Sequence, residues 1–255
     1  MWFYIFLFLF GLTLGSFINA FNYRLKTGQN VWRGRSACPS CRHVLIWRDL
    51  IPVLSFLSLK GRCRYCHQPI GWHYPLTEIS AAILLVLIWF FTMNNTWAIF
   101  YSIVFLILLA VACFDLKYLL IPDKLLLACL VISLVFLSWQ DIINNSSLLL
   151  SGLGAGLSAS LFLGLIYLFS KGKAMGLGDV KLVFIIGLIV GWPNVLPSVF
   201  LSFLIGAIIG IALVLLKKKG MKEAVPFGPF LFLGGLISAV WGTQLINWYL
   251  SFLIK

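Results

Sequence analysis

Eight stretches of this sequence are almost wholly apolar and long enough, or nearly so, to cross a lipid bilayer. They lie at roughly 1–22, 77–93, 97–114, 124–139, 147–170, 180–193, 195–216 and 228–253, where a spanning helix needs about 20 such residues. Composition removes the alternatives. Charged residues make up 10% of the 255 and hydrophobic ones 62%, whereas a soluble domain carries about 25% charged residues. So little polar surface cannot cover a water-facing globule. Disorder is excluded as well, because disordered chains are poor in apolar residues. The expected fold class is an all-α polytopic membrane protein with about eight transmembrane helices. The first run has no basic stretch before it and no small-residue cleavage site before Arg24, so it reads as an uncleaved helix rather than a signal peptide.

The basic residues report orientation. Alternating the eight spans puts 18 Lys and Arg in one set of loops, from Arg24 through Arg33 and Lys181 to Lys222, and only Lys255 in the other. The positive-inside rule assigns the first set to the cytoplasm and both termini to the outside. The net charge of +12 therefore marks helix ends, and nucleic-acid binding, which shows as a basic face with polar and aromatic readers, is not expected. Lys217, Lys218 and Lys219 anchor the end of the seventh span and attract anionic membrane lipid. Glycines recur at four-residue spacing in Gly11/Gly15, Gly152/Gly156, Gly187/Gly191 and Gly206/Gly210, a pattern that lets helices of one bundle approach closely.

Residues 23–76 are the one sizeable polar segment, lying between the first and second spans. They contain Cys38-Pro-Ser-Cys41 and Cys63-Arg-Tyr-Cys66, two C-x-x-C pairs that supply four thiolates to one tetrahedral Zn²⁺. The cytoplasmic placement disfavours disulfides, and no βαβ pattern accompanies a redox pair. Four sulfur ligands leave no open position, so the zinc is structural. A segment of this size needs such a staple, because its own core is small. His67 follows Cys66 and competes weakly as a ligand; His43 and His73 read as ordinary surface residues. Cys113 and Cys129 lie in apolar spans and stand outside the metal set.

Seven carboxylates remain to be sorted. Acids at membrane depth are functional candidates by default. Asp141 reads as a solvated loop residue, Glu223 as locally paired with Lys222, and Asp49 as structural near Arg48. Glu78 opens the second span, where the helix dipole favours an acid. Asp123 follows Ile121-Pro122 and has capping as its natural role. Asp115 and Asp179 differ: they come from separate spans and reach one membrane face, as an aspartic protease pair requires. Two close carboxylates share a proton, so that one activates water and the other donates to the scissile carbonyl. Gly176 and Gly178, before Asp179, would let an extended peptide approach closely. No H-E-x-x-H or G-x-S-x-G occurs, which removes the commonest zinc and serine hydrolase signatures. Ser170-Lys171-Gly172-Lys173 and Lys26-Thr27-Gly28 are chance matches to S-x-x-K and K-T-G. A proton-coupled transporter would place its acids near the midplane and show inverted repeats, and a zinc-anchored scaffold would not need both aspartates.

Taken in order, these motifs resemble the bacterial type 4 prepilin leader peptidases, polytopic G-x-G-D aspartic proteases, over nearly the whole chain. Gly15-Ser16-Phe17-Ile18-Asn19 with Arg24-Leu25 resembles that family's N-terminal signature. The two cysteine pairs, with Ile51-Pro52-Val53-Leu54-Ser55 between them and Tyr74-Pro75-Leu76-Thr77-Glu78 after them, resemble its tetracysteine region and the stretch beyond it. Asp115 with Ile121-Pro122-Asp123, and Gly176-Leu177-Gly178-Asp179-Val180-Lys181, resemble its two catalytic segments. The resemblance implies an endopeptidase of the bacterial inner membrane that removes a short basic leader from type IV pilin-like precursors after a Gly at the cytoplasmic face. It also implies N-methylation of the new N-terminal residue with S-adenosylmethionine, unless the chain is a peptidase only. Asp115 and Asp179 are then the catalytic pair, with Gly176, Gly178 and Lys181 supporting the loop. Glu78 and Asn19, polar groups at helix ends flanking the zinc segment, are candidates for methyl transfer. The implied organisation is a first transmembrane helix over 1–22, the cytoplasmic zinc segment over 23–76 and a seven-helix protease domain over 77–255.

Overall fold

The computed structural model describes residues 1–31, 34–173, 175–216 and 225–253. Arg33, Lys217–Lys219, Lys222, Glu223 and Lys255 lie outside the described residues. Nine α-helices form among those described: α1 (Trp2–Thr27), α2 (Leu54–Ser58), α3 (His73–Phe91), α4 (Asn95–Tyr118), α5 (Asp123–Asn144), α6 (Leu148–Ser170), α7 (Leu177–Val190), α8 (Val195–Leu215) and α9 (Gly228–Leu253). Every expected span corresponds to one helix. Seven of the helices are long and apolar enough to cross a membrane; α7 is not among them. Its 14 residues reach about 21 Å at 1.5 Å per residue, short of the ~30 Å hydrocarbon core.

The chain divides into two compact units, Met1–Ser102 and Ile103–Lys255, and the boundary falls inside α4. In the first unit α1 and α3 pack through small residues. A Cβ built on Gly11 would lie 2.5 Å from Ala82 Cα, and one on Gly15 would lie 2.5 Å from Glu78 Cα. The helices therefore meet backbone to backbone at the first of the expected glycine pairs. α1 outruns its apolar stretch by five residues, because Tyr23–Thr27 remain helical until Gly28 takes a left-handed cap at φ 69°.

In the second unit α5, α6, α8 and α9 all contact α7, and nine of its residues are buried. A helix apolar all round belongs inside a bundle, which accounts for its shortness. Gly187 meets Gly156, with a built Cβ 2.7 Å from that Cα. The glycine pattern is used unevenly: Gly210 faces open space, and Gly191 terminates α7 at φ 67°. A further small-residue row, Gly234, Ser238 and Gly242, escaped the sequence reading. A Cβ on Gly234 would collide with Ser202 Oγ and Ser198 O, and Ser238 donates to Asn194 O.

Asp141 and Asp49 differ from their expected settings. Asp141 is not a solvated loop residue: from the last turn of α5 it accepts from the Leu148 and Leu149 N–H groups at 2.7 and 2.9 Å and from Ser146 Oγ, capping the start of α6. Asp49 pairs with Arg64 rather than Arg48, at 2.7 Å, and also accepts from Tyr65 and the Ile46 N–H. Burial opposes its charge, but these hydrogen bonds and the guanidinium hold the carboxyl below the ordinary carboxylate range.

Candidate active site

Asp115 lies in the last turn of α4, which Leu119 closes in a left-handed conformation with its N–H on Asp115 O at 2.8 Å. The side chain is 5% exposed. Its Oδ2 accepts from the Gly228 N–H at 3.0 Å, at the start of α9. A Cβ on Gly228 would stand 2.7 Å from that same oxygen, so only glycine brings its N–H to this carboxyl.

Asp179 is the third residue of α7. Its Oδ2 accepts from the Gly176 N–H at 3.3 Å, while its own N–H donates to Gly176 O. Residue and turn thus hold each other, as in a capping box. The side chain is 9% exposed, and Oδ1 is buried with no hydrogen-bond partner among the described residues. Such an atom is costly unless something approaches it. The two carboxyls are close enough for the charge of Asp115 to act on Asp179.

Two contacts tie the segment after Asp115 to the turn before and after Asp179. Gly178 lies on Ile121, where a Cβ would be 3.0 Å from Ile121 Cβ. Lys181 Nζ donates to Asp123 Oδ1 at 2.8 Å, with both side chains more than half exposed. Asp123 is therefore not a cap: Pro122 holds that position with no side-chain bond, and the carboxylate reaches α7 instead. An exposed pair of this kind contributes about 0–1 kcal/mol, so its effect is on register more than on stability. From Val180 and Lys181 an open groove of about 660 Å³ runs between α5, α6 and α7, floored by Leu126, Leu130, Phe184 and Ile185.

Comparison with known proteins identifies the family. Residues 9–92 match the bacterial peptidase A24 N-terminal domain, and residues 102–211 match the type IV leader peptidase family. The chain is 33% identical to the prepilin leader peptidase/N-methyltransferase of Legionella pneumophila, over 98% of this chain and 96% of that protein. The chain belongs to the type IV leader peptidase family. Proteins of the same description from Bacillus subtilis, at 33% identity over 96% of this chain and 97% of theirs, and Pseudomonas aeruginosa, at 32% over 96% and 92%, resemble it to the same degree. No solved structure matches it. As a leader peptidase it is an enzyme, all-helical and multi-pass.

In this leader peptidase the four cysteines of the first unit converge. The sulfurs of Cys38, Cys41, Cys63 and Cys66 all lie within 4.8 Å of one another, and Cys38 and Cys66 are 3.9 Å apart. Sulfurs 2.3 Å from a tetrahedral zinc would be about 3.8 Å apart. The two knuckles repeat one local fold. Arg42 N–H bonds Cys38 O and His67 N–H bonds Cys63 O; Cys38 N–H bonds His43 O and Cys63 N–H bonds Gln68 O. His67 occupies the left-handed position of its turn at φ 55° and is not one of the clustered residues, nor are Cys113 and Cys129. His43 stacks on Tyr65 at 3.6 Å.

Glu78 and Asn19 sit in the first unit. Glu78 is six residues into α3 rather than at its start, and its Oε2 accepts from the Val53 N–H at 2.7 Å. Asn19 Nδ2 donates to Tyr74 O at 3.0 Å. The sequence reading missed Gly228, whose only signal was Pro226-Phe227-Gly228-Pro229 at the head of an apolar run, and quoted Ile121 within a motif without giving it a role.

Proposed function

We propose that the chain is a bifunctional prepilin leader peptidase/N-methyltransferase whose peptidase site is the Asp115–Asp179 pair. The observation that carries this reading is the pair itself. Two buried carboxyls come from different helices, and each accepts a hydrogen bond from the N–H of a glycine. Two such groups share one proton. The ionised member takes a proton from water as its oxygen attacks the scissile carbonyl carbon, and the neutral member gives its proton to the carbonyl oxygen. Collapse of the tetrahedral species breaks the C–N bond, and the amine leaves with a proton from the carboxyl that had accepted one. Gly176, Gly178 and Lys181 hold the turn that carries Asp179.

The substrate class is type IV pilin-like precursors, cut after a Gly at the cytoplasmic face of the bacterial inner membrane, with both termini of the enzyme outside. Cys38, Cys41, Cys63 and Cys66 would hold a structural Zn²⁺, whose contribution is to fold residues 23–76. S-adenosylmethionine would supply the methyl group. Glu78 and Asn19, the candidates for that activity, spend polar groups on backbone of their own unit and do not frame a donor site by themselves, so no step is assigned to them.

The test is incubation of the purified enzyme with a pilin-like precursor in detergent. Asp115→Asn and Asp179→Asn should each slow leader removal by about 10²-fold or more; near-normal cleavage in either sinks the pair. In the same preparation, product mass with and without S-adenosylmethionine reads methylation. A zinc content well below one per chain would remove the metal assignment.

A further inference from the structure

A second groove of about 660 Å³ lies in the first unit, lined by α2 and the strip Pro69–Trp72. Its size falls within the range of small-ligand sites. Phe56 is buried there and meets the Trp72 ring edge-on at 5.0 Å. Leu57 and Trp72 remain 60% and 70% exposed. Lys60 and Arg62 complete the rim, and neither has an ion-pair partner among the described residues. The groove is thus apolar inside and doubly cationic at the edge, which fits an anionic amphiphile.

Position narrows the occupant. The segment joins α1 to α3, both long and apolar enough to span, so its two ends meet the same membrane face. Trp72 directly precedes His73, the first residue of α3, which puts the groove where that helix leaves the bilayer. Tryptophan concentrates at this depth, and basic groups beside a span draw anionic headgroups. The single acid between residues 28 and 72, Asp49, is committed to Arg64, leaving the local charge strongly positive. We propose that this groove binds the headgroup of an anionic phospholipid, with Lys60 and Arg62 on the phosphate and Leu57, Ile70 and Trp72 against the glycerol and upper acyl chain. The lipid fastens the cysteine segment to the membrane surface. This site is independent of the peptidase reading.

The test uses the full-length protein in detergent, titrated with phosphatidylglycerol or phosphatidylcholine and read by native mass spectrometry. Wild type should retain phosphatidylglycerol in preference, and Lys60→Gln/Arg62→Gln should lose that affinity by about tenfold or more. Arg62→Gln alone, which leaves the Lys60 turn untouched, should lose several-fold. Arg35→Gln/Arg48→Gln removes the same charge away from the groove and should retain the lipid as wild type does. Equal retention of both lipids, undiminished binding by the groove variants, or equal loss in the Arg35/Arg48 control would overturn the proposal. Displacement by millimolar inorganic phosphate would overturn it too, since a free anion would then be the ligand.

Discussion

One hydrogen atom at Gly228 decides how Asp115 is held. Its N–H reaches Oδ2 at 3.0 Å only because no Cβ occupies the position 2.7 Å from that oxygen. Gly228→Ala must therefore displace the carboxyl or the start of α9, and the bond is lost. A hydrogen bond to a charged group contributes about 1.5–3 kcal/mol, so leader removal should fall at least about tenfold. KM should stay near wild type, because the lost contact acts on the pair proposed to react. A variant that cleaves normally would mean Gly228 is incidental. Residues of this kind explain what the sequence hid. Asp115 and Asp179 were legible because acids are scarce in an apolar chain and each had to be accounted for. Gly228 offers no side chain to notice, and its partner is 113 positions away. Asp123 was visible but misjudged: local spacing suggested a helix cap, while its carboxylate is taken by Lys181, 58 residues on.

At the scale of helices, hydropathy located every long element but measured them imperfectly. It ended the first span where polar residues begin, yet α1 continues to Thr27. It also gave α7 the standing of an ordinary span, although burial among α5, α6, α8 and α9 relieves that helix of needing full bilayer length. Small-residue spacing was the better guide to packing, and it makes a prediction in which two effects oppose. Gly→Ala inside a helix gains about 0.5–1 kcal/mol from backbone entropy. At Gly154, where a Cβ meets open space, that gain should stand and Gly154→Ala should melt slightly higher. At Gly187 the new methyl would press on the Gly156 backbone from 2.7 Å. Neither helix can give way there without opening the α6–α7 contact, and overpacking costs about 1–3 kcal/mol. Gly187→Ala should therefore melt several degrees lower. Thermal unfolding in detergent separates the two, and a stabilised Gly187→Ala would show that the close approach is not a constraint.

For the whole molecule, the parity of its crossings turns on α7. If this short helix crosses, the chain has eight crossings and its termini share a side. If it only dips in and returns, seven crossings leave the termini on opposite sides. Length alone favours the second, since about 21 Å is less than the hydrocarbon thickness. The charges favour the first. Eight crossings divide Lys and Arg 18 to 1 between the two faces. Seven would move Lys217, Lys218, Lys219 and Lys222 across and bring Lys255 back, a division of 15 to 4. Four lysines beside a span end weigh heavily in orientation, while a helix enclosed by protein need not match the lipid around it. Charge therefore outweighs length, and α7 is expected to cross, with Asp115 and Asp179 on the cytoplasmic side. Fusing a fluorescent protein that matures only in the cytoplasm, or a phosphatase active only outside, after Lys219 and after Lys255 tests this directly. Fluorescence should follow Lys219 and phosphatase activity should follow Lys255. The opposite pairing would make α7 re-entrant, and the aspartate it carries would then sit on a hairpin that enters and leaves by one face.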